Sequence, residues 1–186
     1  IDLNKAIPPA FPSLSTGNSD TVYVTAVDKE RNAASFISSI FKAFGSGMVV
    51  DGTGITLQNR GKSFSLDPNH SNRIEPHKRP MHTFIPAIVF KDGEFLMSFG
   101  VVGGDVQPQG HAQFLVNLID FKMNLQEAMD APRGRHLQGM EVCLEDGIPD
   151  EVASELQRKG HQIARATSPT NQVGGGQAIY LDRSQN

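Results

Sequence analysis

Two short stretches of this chain carry residues able to do acyl-transfer chemistry. In GNSDTVYVTAVDKERN (17–32), polar turn residues run up to Asp20, and Thr21 then opens an alternating run in which Val22, Val24, Ala26 and Val27 stand among Tyr23 and Thr25. A threonine hydroxyl needs a base before it becomes a useful nucleophile. If the chain were cut between Asp20 and Thr21, the freed α-amine, with a pKa of about 7.7–8.0, would supply that base from within the same residue. The cut itself follows the same chemistry: the hydroxyl attacks the Asp20 carbonyl, an ester forms, and water releases Thr21. The second stretch is FGVVGGDVQPQG (99–110), where Gly103 and Gly104 lie between an apparent strand and an apparent helix. Adjacent glycines let backbone N–H groups face a site with no side chain in the way. Such donors, aimed at a tetrahedral oxyanion, stabilise it by roughly 3–4 kcal/mol each. Both stretches also have ordinary readings, a threonine that begins a strand and a glycine strand–helix turn. No G-x-G-x-x-G opens the helix, so this is not a dinucleotide fingerprint.

The elements that must position these groups are legible in outline. Residues 22–28 and 33–38 read as strands joined by the polar turn KERN, and 84–90 and 94–102 as a second hairpin around KDG. Between them, the glycines of FGSGMVVDGTGITLQNRG (44–61) punctuate short β-type runs, and DPNHSNRIEPHKRP reads as a surface loop in which His70 and His77 are solvated. Phe114, Leu115, Leu118 and Ile119 recur at helical spacing within 109–121. Asn124 is placed to cap a helix that Pro132 stops, and Asp150 to cap one that Gly160 ends. Short strands are expected around 140–144, 161–166 and 176–181. Hairpins followed by packed helices point to α+β layers rather than a parallel βαβ sheet. His111, beside the glycine pair, reads as structural. Asp105 is placed either to cap the helix or to orient a site group, and the glycines at 174–176 read as a turn into a strand.

The bulk numbers bound the function. The chain has 186 residues, 38% hydrophobic and 20% charged, and a formal net charge of −3. It is long enough for one domain with a real core, and it has no basic footprint for nucleic acid or anionic membrane. The single cysteine, Cys143, forms no internal disulfide and reads as a buried structural thiol. No apolar run approaches the ~20 residues of a membrane helix. Residues 1–20 are rich in proline and serine and read as a linker, and with no initiator Met the chain reads as a fragment or a processed subunit.

Taken in order, DTVYVTAVDKERN, FGSGMVVDGTGITLQNRG, PHKRPMHTFIPAIV, GVVGGD and NLIDFKMNLQEAMDAPRGR resemble the C-terminal half of the gamma-glutamyltranspeptidase family of N-terminal-nucleophile hydrolases, from about residue 17 to about 182. The resemblance implies a four-layer αββα sandwich, with this chain as its C-terminal part. Residues 1–20 would end the preceding large-subunit segment, and 21–186 would form the small-subunit domain, cut short before its usual end. It further implies a zymogen that cleaves itself between Asp20 and Thr21, and Thr21 as nucleophile and base. Ser39 would support the nucleophile, Gly103 and Gly104 would form the oxyanion hole, and Asn59 would lie in a substrate loop. The implied partners are the large-subunit segment of the same precursor, which contributes an arginine to the substrate, and a small amide, with no cofactor and no metal. A homodimer of such heterodimers and a cytoplasmic location are further expectations.

Departures from the family pattern narrow the substrate. Members that bind a gamma-glutamyl group place Asn where this chain has Phe41, Gln and Asp where it has Arg60 and Ser63, and a serine pair where it has His82 and Thr83. The carboxylate that would hold an ammonium is gone, and an arginine and a histidine have appeared. A site that buries charge must pair it, so Arg60, His82 and Thr83 fit an anionic substrate, as in the oxamate-amidohydrolase-like branch. The first expectation is therefore a Thr acyl-enzyme hydrolase of a small carboxylate-bearing amide. A true gamma-glutamyl transferase or glutathione hydrolase is its variant, and an uncut, catalytically silent scaffold is the alternative of another class. A phosphate-binding α+β domain outside the family would predict no cleavage.

Overall fold

The computed structural model describes residues 4–5, 20–166 and 173–183. The expected linker of residues 1–20 therefore lies almost wholly outside the described residues, apart from Asn4, Lys5 and the backbone of Asp20. Strand β1 (Asp20–Val27) pairs antiparallel with β2 (Ala33–Phe41). Asp28 closes their turn by accepting the Asn32 N–H and side-chain amide, both at 2.8 Å. Strand β3 (Ala87–Lys91) is joined to β4 (Glu94–Val102) through Asp92 and Gly93, both at positive φ (54° and 83°), as a two-residue turn that follows strand twist requires. Strand β8 (Gly175–Tyr180) pairs with the other edge of β4, giving a three-stranded sheet in the order β3-β4-β8.

Helix α1 (Gln107–Ile119) and helix α2 (Leu125–Asp130) cover one face of that sheet. Met97, Phe99, Phe114 and Ala128 form the core between them, with the Phe99 and Phe114 rings 5.0 Å apart. Burying side chains the size of Met97, Phe99 and Phe114 stabilises the fold by roughly 1.5–3 kcal/mol each. Asn124 caps α2 in a full capping box with Glu127, as its position suggested.

The β1–β2 hairpin packs on the opposite face of the sheet, and the layer between them is built from hydroxyls. Tyr23 Oη lies 3.1 Å from Ser98 Oγ and 2.7 Å from Ser35 Oγ, and Thr25 donates to Ser98 Oγ at 2.7 Å. Gly100 is required beneath Tyr23, because a Cβ there would sit 2.4 Å from the ring. The apolar side of the hairpin faces outward instead, leaving Val22, Val24 and Phe36 more than half exposed.

A second sheet contains β5 (Gly134–His136), β6 (Glu141–Leu144) and β7 (Gln162–Arg165). The pair β6–β7 is parallel, with helix α3 (Asp150–Arg158) in the connection, so the chain contains one βαβ unit that the expectation of hairpins and packed helices left out. The physical reason is length: the segment between β6 and β7 carries an amphipathic helix, which supplies the crossover that parallel neighbours need. Asp150 is the first residue of α3 rather than its cap, and its carboxylate pairs with Arg165 of β7. Cys143 is buried, and burial pushes its thiol pKa up. None of the helices among the described residues is long and apolar enough to cross a membrane.

Candidate active site

Thr21 and Ser39 are opposite partners in the β1–β2 ladder, and the Thr21 hydroxyl donates to Ser39 Oγ at 3.1 Å. Ser39 Oγ also accepts the Phe41 N–H at 2.9 Å. The register slips beside Thr21, where Asp20 pairs with Phe41 rather than with Ile40, so the Asp20–Thr21 peptide lies at a bulge. Thr21, Tyr23 and Thr25 share the inward face of β1, and the contacts Thr25–Ser98 and Tyr23–Gly100 run in opposite directions along β1 and β4. Continued at the same two-residue alternation, the next position on β4 opposite Thr21 is Val102, the residue before Gly103.

Gly103 and Gly104 have φ of 132° and 69°, conformations that favour glycine. Gly174, also at positive φ (76°), closes onto them: a Cβ on Gly103 would meet its Cα at 2.9 Å. Asp105 follows directly, and its side chain does not cap α1. Burial pushes its carboxyl pKa up, while the charges of Arg135, Lys42 and Arg60 pull it back.

Past Phe41, the site is walled by a cation. Arg60 is buried, with its Cζ 4.6 Å from the Phe41 ring centroid and 4.2 Å from that of Phe84. Its guanidinium makes no ion pair among the described residues, and its Nε is sealed from solvent without a hydrogen bond. Burial lowers its pKa, and the Asp105 charge opposes that shift. Ser63 Oγ donates to the carbonyls of Arg60 (2.7 Å) and Met81 (3.1 Å), tying this turn to the segment that carries His82 and Thr83. Thr83 is buried with its hydroxyl unpartnered, whereas His82 is exposed and tilted toward the Phe84 ring at 5.8 Å. Asn59 spends both ends of its amide on backbone, accepting from Lys42 N at 3.1 Å and donating to Gly45 O at 2.7 Å. It anchors the base of the glycine-rich arm.

Helix α1 locks these parts together through His111, read from the sequence as structural, and through three glutamines that the sequence reading did not single out. Gln107, fully buried, donates its amide to Val101 O (3.1 Å) and Thr83 O (2.5 Å). One turn later, His111 Nε2 accepts the Val101 N–H at 3.1 Å, and burial holds its pKa down at about 4. These i, i+4 side chains serve the edge of β4 beyond the end of β3. Gln109 and Gln113, also i, i+4, bond the backbone of β5 at His136 and Gly134 (2.7 and 2.9 Å). The readable signal is QPQGHAQ itself, four polar side chains at helical spacing on a helix that has to be buried.

The chain matches the gamma-glutamyltranspeptidase family over residues 6–185. It belongs to that family. Family membership thus bears out the resemblance drawn from the ordered motifs. Among the family's members it is 37% identical over 171 residues to the glutathione hydrolase-like YwrD proenzyme of Bacillus subtilis, covering 88% of this chain and 32% of that one. It is 44% identical over 152 residues to the oxamate amidohydrolase proenzyme of Klebsiella pneumoniae, covering 79% and 29%. The fold is similar to that of a cephalosporin acylase from Bacillus halodurans, with a TM-score of 0.79 at 46% identity over 87% of this chain and 30% of that one. It is also similar to a gamma-glutamyltranspeptidase chain from Pseudomonas nitroreducens, with a TM-score of 0.72 at 28% identity over 90% of both chains. The chain spans about a third of the length of the curated relatives it matches. These family members are hydrolases, acylases and transpeptidases, and several are named as proenzymes.

Proposed function

We propose that this chain is the nucleophile-bearing part of a self-cleaving amide hydrolase, acting through a Thr21 acyl-enzyme on a small amide that carries a carboxylate. The observation that carries the reading is the Thr21–Ser39 hydrogen bond of 3.1 Å at the start of β1. In the first step, Thr21 Oγ attacks the Asp20 carbonyl and its proton passes to the leaving nitrogen. The Asp20–Thr21 C–N bond breaks to give an ester and a free α-amine, and water then hydrolyses the ester to release the Asp20 carboxylate and restore the Thr21 hydroxyl. In turnover, Oγ attacks the substrate amide carbon while the α-amine takes its proton. The tetrahedral oxyanion is held by backbone donors of Gly103 and Gly104, and the C–N bond then breaks as the amine leaves with that proton. Water, deprotonated by the α-amine, attacks the Thr21 ester and releases the acid.

Arg60, a buried cation with no ion-pair partner among the described residues, supports an anionic acyl group. A gamma-glutamyl donor would bring an ammonium against it. Thr83 and His82 lie on the same segment and complete the proposed substrate face. The large-subunit segment of the precursor is the proposed partner. Its helices would complete a four-layer αββα sandwich by covering Val22, Val24 and Phe36, which the hairpin leaves exposed. Release of ammonia from oxamate, and of p-nitroaniline from a gamma-glutamyl anilide, by the full-length protein tests the reading. Oxamate turnover that disappears in Thr21→Ala supports it. Preference for the gamma-glutamyl donor overturns the anionic-substrate part, and inertness toward both overturns the whole.

A further inference from the structure

Phe41 ends β2 with a φ of 77°, in the left-handed region where a bulky side chain is a genuine outlier. Strain of this kind persists only where the surroundings over-determine it, and it concentrates at ligand sites. The surroundings here are the candidate site. The Phe41 N–H bonds the same Ser39 Oγ that receives the Thr21 hydroxyl, and the Phe41 ring, 7% exposed, lies against Arg60. Phe84 supplies the second ring at 4.2 Å, and Lys42 Nζ approaches the Phe41 ring at 5.0 Å.

Contact with ring faces engages the plane of a guanidinium and leaves its N–H edge uncommitted. That edge is the part that binds a carboxylate through two parallel hydrogen bonds. Arg60 is 5% exposed, its buried Nε makes no hydrogen bond, and its guanidinium makes no ion pair among the described residues. Asp105, whose negative charge acts on it, stays outside ion-pair distance. Among the described residues, two ring faces are the contacts that hold the cation, which leaves its edge available to an anion.

We propose that Phe41 is a specificity-determining residue: with Phe84 it fixes the Arg60 guanidinium as a seat for a planar carboxylate, selecting acyl groups that are anionic and carry no ammonium. The proposal deepens the amide-hydrolase reading and rests on it for the identity of the substrate. Its binding component does not depend on turnover.

The test compares Phe41→Leu, which keeps apolar bulk and removes the ring face, with Phe41→Tyr, which keeps the face, in the full-length protein. Phe84→Leu and Arg60→Lys accompany them. The probe is oxalate, a planar carboxylate that cannot be hydrolysed as an amide, with affinity read by calorimetry and thermal shift. Phe41→Leu, Phe84→Leu and Arg60→Lys are each expected to weaken oxalate by about tenfold. Phe41→Tyr is expected to stay within about twofold of the parent protein. With oxamate as substrate, Phe41→Leu should raise KM by a similar factor and leave kcat nearly unchanged. If Phe41→Leu and Phe41→Tyr bind alike, or the parent protein does not bind oxalate, the proposal is overturned. If oxalate binds as expected while no amide is hydrolysed, the seat stands and the hydrolase reading fails.

Discussion

The hydroxyls of Thr21 and Ser39 meet at 3.1 Å across the β1–β2 ladder, one step from the bulge that sets Asp20 opposite Phe41. The register shift separates the Asp20–Thr21 peptide, the proposed cleavage point, from regular pairing, while the ladder on the other side fixes the hydroxyl that would cut it. A nucleophile held by strand pairing is positioned more tightly than one on a loop.

Ser39 does two things at once, accepting from Thr21 and from the Phe41 N–H. Ser39→Ala removes both bonds and leaves a half-buried N–H without its acceptor. Stability should fall by about 1–2 kcal/mol, and self-cleavage and turnover should slow by about one to two orders of magnitude. Ser39→Thr should retain most of both. Denaturant unfolding, together with the time course of cleavage, measures the two effects separately.

His111 gives the fold a predicted pH dependence. Its pKa lies near 4 in the folded chain, held below the usual 6.5 by burial, with the ring accepting from Val101 N. The unfolded chain takes up a proton below about pH 6.5, which the folded chain refuses until about pH 4. Stability from this group is therefore complete above the unfolded value and is lost as pH falls from there toward the folded value. Thermal unfolding from pH 7.5 to 4 should show a decline that His111→Gln flattens.

Gln107 is the other internal tie. Gln107→Met keeps the length of the side chain and leaves the carbonyls of Val101 and Thr83 without their donor. A loss of about 2–4 kcal/mol is expected. Because one carbonyl belongs to the strand leading to Gly103 and the other to the segment bearing Thr83, turnover should fall further than stability alone explains. Comparing kcat at a temperature where both proteins remain folded separates the two.

The strands and helices were readable because their punctuation is chemical. KERN and KDG are turn sequences, Asn124 and Glu127 write out a capping box, and Phe114 and Leu118 set a helical period. The faces of β1 were harder to assign. Val22 and Val24 look like core residues, but the hairpin turns them outward and sets Tyr23, Thr25 and Ser35 against Ser98 of β4 as a bonded hydroxyl layer. Local pattern cannot show that an apolar face is left uncovered by this portion of the chain. Strands β6 and β7 were expected near 140–144 and 161–166, but their parallel pairing escaped for a related reason, since a strand's local pattern does not name its partner. At the candidate site, motif order singled out Thr21, Ser39 and the glycine pair, and the structure shows the first two hydrogen-bonded. The Phe41–Arg60–Phe84 contact was not legible, because its three residues come from a strand end, a short helical turn and a connecting segment, and only the fold brings them together.

The central claim is that Thr21 is a nucleophile. It is tested most directly by intact mass and N-terminal sequencing of the full-length precursor after expression, beside Thr21→Ala. The account predicts two chains from the parent protein, one beginning Thr-Val-Tyr-Val, and a single uncut chain from the variant. A folded parent protein that stays whole, or a variant that is cut at the same bond, would contradict it.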